Sequence, residues 1–200
     1  MAKHDIVRVG APVLRARAAE VDPAEIGSKA MRDLVRTMVE AMRRAPGVGL
    51  AAPQIGVSKR VIVLEDAERL MATLSPALRA ERGRAPFALR TIINPVLELR
   101  GGEGDPLQPM FFEGCLSVPG MSALVPRRLE VVVRGLDEKG EPLEWTASGW
   151  PARILQHEVD HLDGTLYVDR MLTRTFGHND EVGQHAAGLP AAAVRELYRA

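Results

Sequence analysis

The chain has a single cysteine among 200 residues, which excludes an internal disulfide framework. Aromatic residues make up only 4%. Twenty-six basic residues meet 26 acidic ones, so there is no net charge. That balance argues against a nucleic-acid binder that works by bulk phosphate neutralisation, and against a polybasic membrane anchor. No run approaches the ~18 consecutive apolar residues of a membrane-spanning helix. Met1 to Glu20 holds no continuous apolar stretch, includes Asp5 and Glu20, and has no serine, so neither a secretory signal nor a transit peptide is expected. The expected address is the cytoplasm. What is present is ordinary for a soluble globular domain: 46% hydrophobic and 26% charged residues, in a chain long enough for one sizeable core.

Asp22-Pro23-Ala24-Glu25 has the pattern of a helix start. Met31, Leu34, Val35, Met38, Val39 and Met42 follow at helical spacing, as a core-facing stripe. Pro46 and Gly47 end that helix. Arg60 to Leu64 reads as a strand. Residues 65–90 are polar, Arg-rich and poorly patterned, with a short helix around Ala67 to Leu70, and read as a surface insertion. Thr91 to Asn94 and Val96 to Leu99 read as strand pieces around Pro95, and Gly101 to Pro109 as a loop. Leu129 to Arg134 and Leu143 to Ala147 read as a hairpin turning at Asp137 to Gly140. A second helix, capped by Ser148 and tolerating Pro151 in its first turn, runs to about Leu162, with Gly164 behind it. It is apolar on most sides, hence buried. A terminal helix is expected within Pro190 to Ala200. The expected fold is a single α+β domain, with antiparallel strands around a central buried helix.

That helix carries His157-Glu158-Val159-Asp160-His161. Residues i and i+4 stand one above the other, so two imidazoles can share one divalent ion. Glu158 can then reach a water on the ion as general acid/base. A catalytic site needs a third protein ligand. The position six residues past His161 holds Tyr167. Glu181 has the spacing of a thermolysin-like third ligand, but Gly177 to Gly183 reads as loop. The third candidate is Cys115, in Glu113-Gly114-Cys115-Leu116-Ser117, where Gly114 allows close approach and Glu113, an acid in an apolar run, needs a partner.

Three segments together resemble the peptide deformylase family, in that family's order: Gly47-Val48-Gly49-Leu50-Ala51-Ala52-Pro53-Gln54-Ile55-Gly56, Glu113-Gly114-Cys115-Leu116-Ser117 and Gln156-His157-Glu158-Val159-Asp160-His161. The likeness covers most of Ile6 to Phe176. Residues 1–176 are therefore expected to be the catalytic domain, and residues 177–200 a C-terminal tail. Phe111-Phe112, Ala147-Ser148-Gly149-Trp150 and Arg174-Thr175-Phe176 look most like the branch with plant and animal organellar members. The opening residues fit a bacterial cytoplasmic member better.

The resemblance implies a metal-dependent hydrolase that removes the formyl group from the N-terminal formylmethionine of new polypeptides and releases formate. It implies Cys115, His157 and His161 as metal ligands and Glu158 as general acid/base for an attacking water. It also implies that Gln54 and the Leu116 N–H are oxyanion donors. Val48, Gly49, Gly114, Trp150, Arg153 and Ile154 would surround the substrate backbone and its methionine. One divalent ion per chain is implied, Fe(II) in vivo, with Zn, Ni or Co able to substitute. The expected partner is an N-formylmethionyl peptide, with no membrane and no sequence-specific nucleic acid. Arg195 and Arg199 of the tail could touch ribosomal RNA, although a solvated helix face is the plainer reading. The oligomeric state, a dimer included, stays open. The rival readings are a zinc endopeptidase that uses Glu181, and a structural metal- or peptide-binding module with a closed site.

Overall fold

The structure, a computed structural model, describes residues 5–100 and 110–199. Its centre is a five-stranded antiparallel sheet, order β1-β2-β3-β6-β7: β1 Gly49–Ala51, β2 Val61–Asp66, β3 Phe87–Leu99, β6 Glu130–Leu136 and β7 Pro142–Ser148. A second sheet, order β4-β5-β8, joins β4 Phe111–Cys115, β5 Val118–Val125 and β8 Gly177–His178.

The large sheet is covered on both faces, and β2 shows why its sequence is an unbroken apolar run. Val61 and Val63 face helix α1 (Lys29–Arg44), while Ile62 and Leu64 face helix α3 (Trp150–Leu162). Alternation thus sends successive side chains into two cores. On one side Met31, Met38 and Met42 of α1 pack with Leu50 and Ile93; on the other Leu155, Val159 and Leu162 of α3 pack with Ile92, Val131 and Val133. Each fully buried side chain of this kind contributes about 1.5–3 kcal/mol. The expected α+β class with a buried central helix is the observed one, and the Met stripe is core.

Both helix starts differ from the sequence reading. Pro23–Glu25 forms one 3-10 turn, with the Asp22 carboxylate accepting from the Ala24 N–H at 2.9 Å. Gly27 then takes φ +78, and α1 begins at Lys29 with the Ser28 hydroxyl accepting from the Met31 N–H at 3.1 Å. Helix α3 is preceded by Gly149 rather than capped by Ser148. Gly149 has φ +65, and a Cβ there would lie 2.9 Å from the Gly83 Cα and O. Only glycine allows that crossing.

The strand pieces around Pro95 are one strand, with a register shift between Ile93 and Val96. Asn94 sits at φ +52, and its side chain holds the Val21 N–H and carbonyl at 2.8 and 2.9 Å. The hairpin forms as expected, with the Asp137 carboxylate accepting from the Lys139 and Glu141 N–H groups. The expected loop at 101–109 lies outside the described residues.

Residues 65–90 hold the end of β2, a 3-10 turn at Glu68–Met71, helix α2 (Pro76–Arg82) and the start of β3. Met71 is fully buried, and Arg84 makes a two-bond ion pair with the fully buried Asp66. The stretch 177–183, read as loop, is β8 followed by helix α4 (Asn179–Ala186). Val182 and Ala186 pack with Leu124 and Phe112, which pins α4 despite Gly183. Helix α5 (Ala191–Tyr198) lies in the stretch expected to be helical, and its Ala191 N–H donates to Glu81 of α2 at 2.9 Å. Among the described residues, no helix is long and apolar enough to cross a membrane.

Candidate metal centre

Helix α3 aims its second face at β4, away from the large sheet. His157 and His161, one turn apart, have ring centroids 5.0 Å apart. Cys115 ends β4 at a register shift between Gly114 and Cys115, which turns its sulfur toward the helix. Its Sγ lies 3.2 Å from His161 Nε2. The ligand atoms of Cys115, His157 and His161 all lie within 4.8 Å of one another. The sulfur also accepts from the Ser117 N–H at 3.4 Å and from Gln54 Nε2 at 3.5 Å. Gln54 is oriented by the Ala51 N–H, which donates to its Oε1 at 2.8 Å.

The charges suit a cation. Burial keeps the His161 imidazole neutral, well below its ordinary range, with the neighbouring charges of His157, Arg127 and Arg15 adding to it. Burial opposes a proton on His157, but hydrogen bonds to Cys115 and Glu113 overcome it and push that imidazole up. One thiolate and two imidazoles are a ligand set for zinc or iron. Burial pushes Glu158 up to about 7, with help from the charges of Glu113 and Asp160 and against those of His157 and Arg127. Its Oε2 is buried without a hydrogen-bond partner, as expected of a carboxylate that waits for one. These residues fit a catalytic metal.

A cleft of about 590 Å³ opens on this centre. Gln54, Cys115, Leu116, His157 and Glu158 line it, as do Val48, Gly49, Gly114, Trp150, Arg153 and Ile154. Arg153 is buried there, with Nη1 donating to Glu113 Oε1 at 2.5 Å and to the Val125 carbonyl at 2.9 Å. Glu181 stands elsewhere, exposed on α4 and 3.8 Å from His185. Tyr167 uses its hydroxyl to donate to the Met121 carbonyl.

Glu113 has the partners its apolar setting required. Arg127 donates to both of its oxygens at 2.9 Å, Arg153 to one, and His157 Nδ1 lies 3.1 Å from Oε2. Burial alone would raise this carboxyl, but the Arg127 charge and the hydrogen bonds of His157 and Arg127 hold it well below the usual carboxylate range. Sequence reasoning missed Arg127, which belongs to none of the motifs. It also missed Asp160, which lies inside the pentapeptide but outside its two-histidine pattern.

An α+β body that gathers a cysteine sulfur, two helical imidazoles and a buried acid at one cleft has the make-up of a metal-dependent hydrolase. The chain matches the polypeptide deformylase family over residues 3–176, and it belongs to that family. Peptide deformylase 1A, chloroplastic/mitochondrial, from Arabidopsis thaliana is 52% identical over 172 residues, covering 86% of this chain and 62% of the plant protein. Peptide deformylase 1 from Streptomyces coelicolor is 47% identical over 174 residues, covering 87% of this chain and 76% of the relative. The class I type b peptide deformylase of Acinetobacter baumannii, solved with Met-Ala-Ser bound, superposes with a TM-score of 0.71 at 34% identity, covering 83% of this chain and 96% of that one.

Proposed function

We propose that this chain removes the formyl group from the N-terminal formylmethionine of new polypeptides, releasing formate. The observation that carries the reading is Glu158, whose Oε2 is buried without a hydrogen-bond partner, beside the Cys115, His157 and His161 cluster in a cleft bordered by Gly49 and Gly114. The bound Met-Ala-Ser of the Acinetobacter relative supports a methionyl peptide as the ligand.

Cys115, His157 and His161 would hold the ion, which we take as Fe(II) in vivo, with Zn, Ni or Co able to replace it. A divalent ion there supplies Lewis acidity and lowers the pKa of water toward about 7. Glu158 takes a proton from the attacking water and later delivers it to the departing amine. The Gln54 amide and the Leu116 N–H donate to the oxygen that gains charge, and losing one such donor typically costs about 3–4 kcal/mol of barrier. Val48, Gly49 and Gly114 border the substrate backbone, and Trp150, Arg153 and Ile154 its methionine. A narrow site at Gly49 and Gly114, where the backbone approaches closely, would admit a formyl carbon, which carries only hydrogen, and exclude acetyl. Turnover of an acetylated peptide at a comparable rate would overturn that last point. We take the compartment to be the cytoplasm, and the tail's Arg195 and Arg199 are the residues to test for ribosome contact.

The test is formate release from formyl-Met-Ala-Ser by protein prepared anaerobically with Fe(II) or Ni(II), with Glu158→Ala as the blank. Metal-dependent formate that vanishes in the blank is expected. No formate from protein holding one metal per chain would overturn the proposal.

A further inference from the structure

The ion pairs behind the metal centre do not stop at Glu113. Arg127 spends Nε and Nη2 on Glu113 and Nη1 on Asp160 Oδ2, at 2.6 Å. Asp160 in turn accepts two bonds from Arg170, Nε at 2.7 Å and Nη2 at 2.8 Å. Arg127 is 3% exposed and Asp160 12%, while Arg170 is 49% exposed. A continuous chain of charges therefore runs from the surface through Asp160, Arg127 and Glu113 to the Nδ1 of His157.

We propose that Arg170 is a positioning residue for the metal centre: it satisfies Asp160, and so leaves Arg127 free to hold Glu113 against His157. The reason is competition for one guanidinium. Arg127 is shared between two buried carboxylates, and a buried carboxylate draws in whatever donors it can reach. With Arg170 present, both Asp160 oxygens are engaged, and Arg127 keeps its two parallel bonds to Glu113. Without Arg170, Asp160 Oδ1 loses its donor, and Arg127 is drawn toward Asp160. Glu113 then loses part of the clamp that fixes the His157 ring. Partners of this kind typically change metal affinity by about 10–100-fold when removed directly, so a residue further out should act in the same direction with a smaller effect. The inference rests on the metal reading of the site and needs no formyl substrate.

The test is Co(II) binding by the full chain, read from its cobalt–thiolate absorption in competition with a chelator. Arg170→Ala is expected to weaken Co(II) binding by at least about 3-fold, and Arg170→Lys to recover part of that loss. Arg43→Ala removes another surface arginine with a two-bond partner, Glu65, and should leave Co(II) binding unchanged. In an Asp160→Asn background, Arg170→Ala should have no further effect. Unchanged Co(II) affinity in folded Arg170→Ala would overturn the proposal. So would a loss that persists undiminished in the Asp160→Asn background. Wild-type chain that shows no cobalt–thiolate band would instead overturn the metal centre itself.

Discussion

Replacing Gly49 by alanine tests the placement of the acid/base directly. Gly49 lies on β1, opposite Leu64, and its backbone is not in the left-handed region, so alanine causes no strain of its own. A Cβ there would lie 2.3 Å from Glu158 Oε1, 2.8 Å from Cδ and 2.9 Å from Cγ. Glu158 is 4% exposed and has little room to retreat. Restoring ordinary contact distance moves its carboxylate by roughly 1 Å. A displacement of that size costs about 100-fold in rate, or about 2.7 kcal/mol of barrier. The assay is kcat for formate release, with metal content measured on the same sample. Gly47→Ala is the comparison: its Cβ would crowd the tip of Leu116, at 2.9 Å, which can swing away, and would meet Gly49 O and Met42 Cγ at an ordinary 3.5 Å, so a much smaller loss is expected. Adding Gly49→Ala to Glu158→Ala should cost nothing more. Gly49→Ala at full metal occupancy with wild-type kcat would refute the reasoning.

Cys115→Ala should abolish metal retention and Glu181→Ala should preserve it, as read by metal analysis after dialysis; the reverse would restore the endopeptidase reading. Glu113→Gln removes the buried carboxylate to which both Arg127 and Arg153 donate, so urea unfolding should show a loss of about 3–5 kcal/mol. In the metal-free chain the Glu158 pKa is raised by burial to about 7, so the fold keeps a proton there that the unfolded chain releases in the ordinary carboxylate range. Stability should therefore fall as pH rises from that range to about 7, and level off above it. Glu158→Gln should flatten that part of the profile, and an unchanged slope would count against the burial argument.

Much of the site was legible because its chemistry is local in the chain. His157 and His161 meet through helical geometry alone, and Gln54 and Cys115 sit in short motifs whose order along the chain carried the resemblance. The Val61 strand and the Met31 to Met42 stripe were legible from apolar patterning. The helix starts were harder. Asp22 and Ser28 both have capping chemistry, and what separates them is the positive φ of Gly27, which breaks the chain between the two turns. Gly149 precedes α3 because Gly83 crosses it, a contact between segments 66 residues apart in sequence. Helix α4 was read as loop because Gly177 and Gly183 weaken the local signal, and its packing against Leu124 is non-local.

Periodicity and a short motif, which act over a few residues, were enough to read the buried helix with His157, Glu158 and His161 on it, while Cys115 as the proposed third ligand came from the family resemblance. Only the tertiary structure decided what surrounds them. The carboxylate of Glu113 needed a cation wherever it was buried, but that the cation is Arg127, shared with Asp160 and backed by Arg170, depends on β4, the β5–β6 connection and α3 meeting at one point. The space for Glu158 likewise exists only because Gly49 of β1 packs against it. Charge pairing and close packing are set by distance in space, and distance in space is what a linear pattern does not carry.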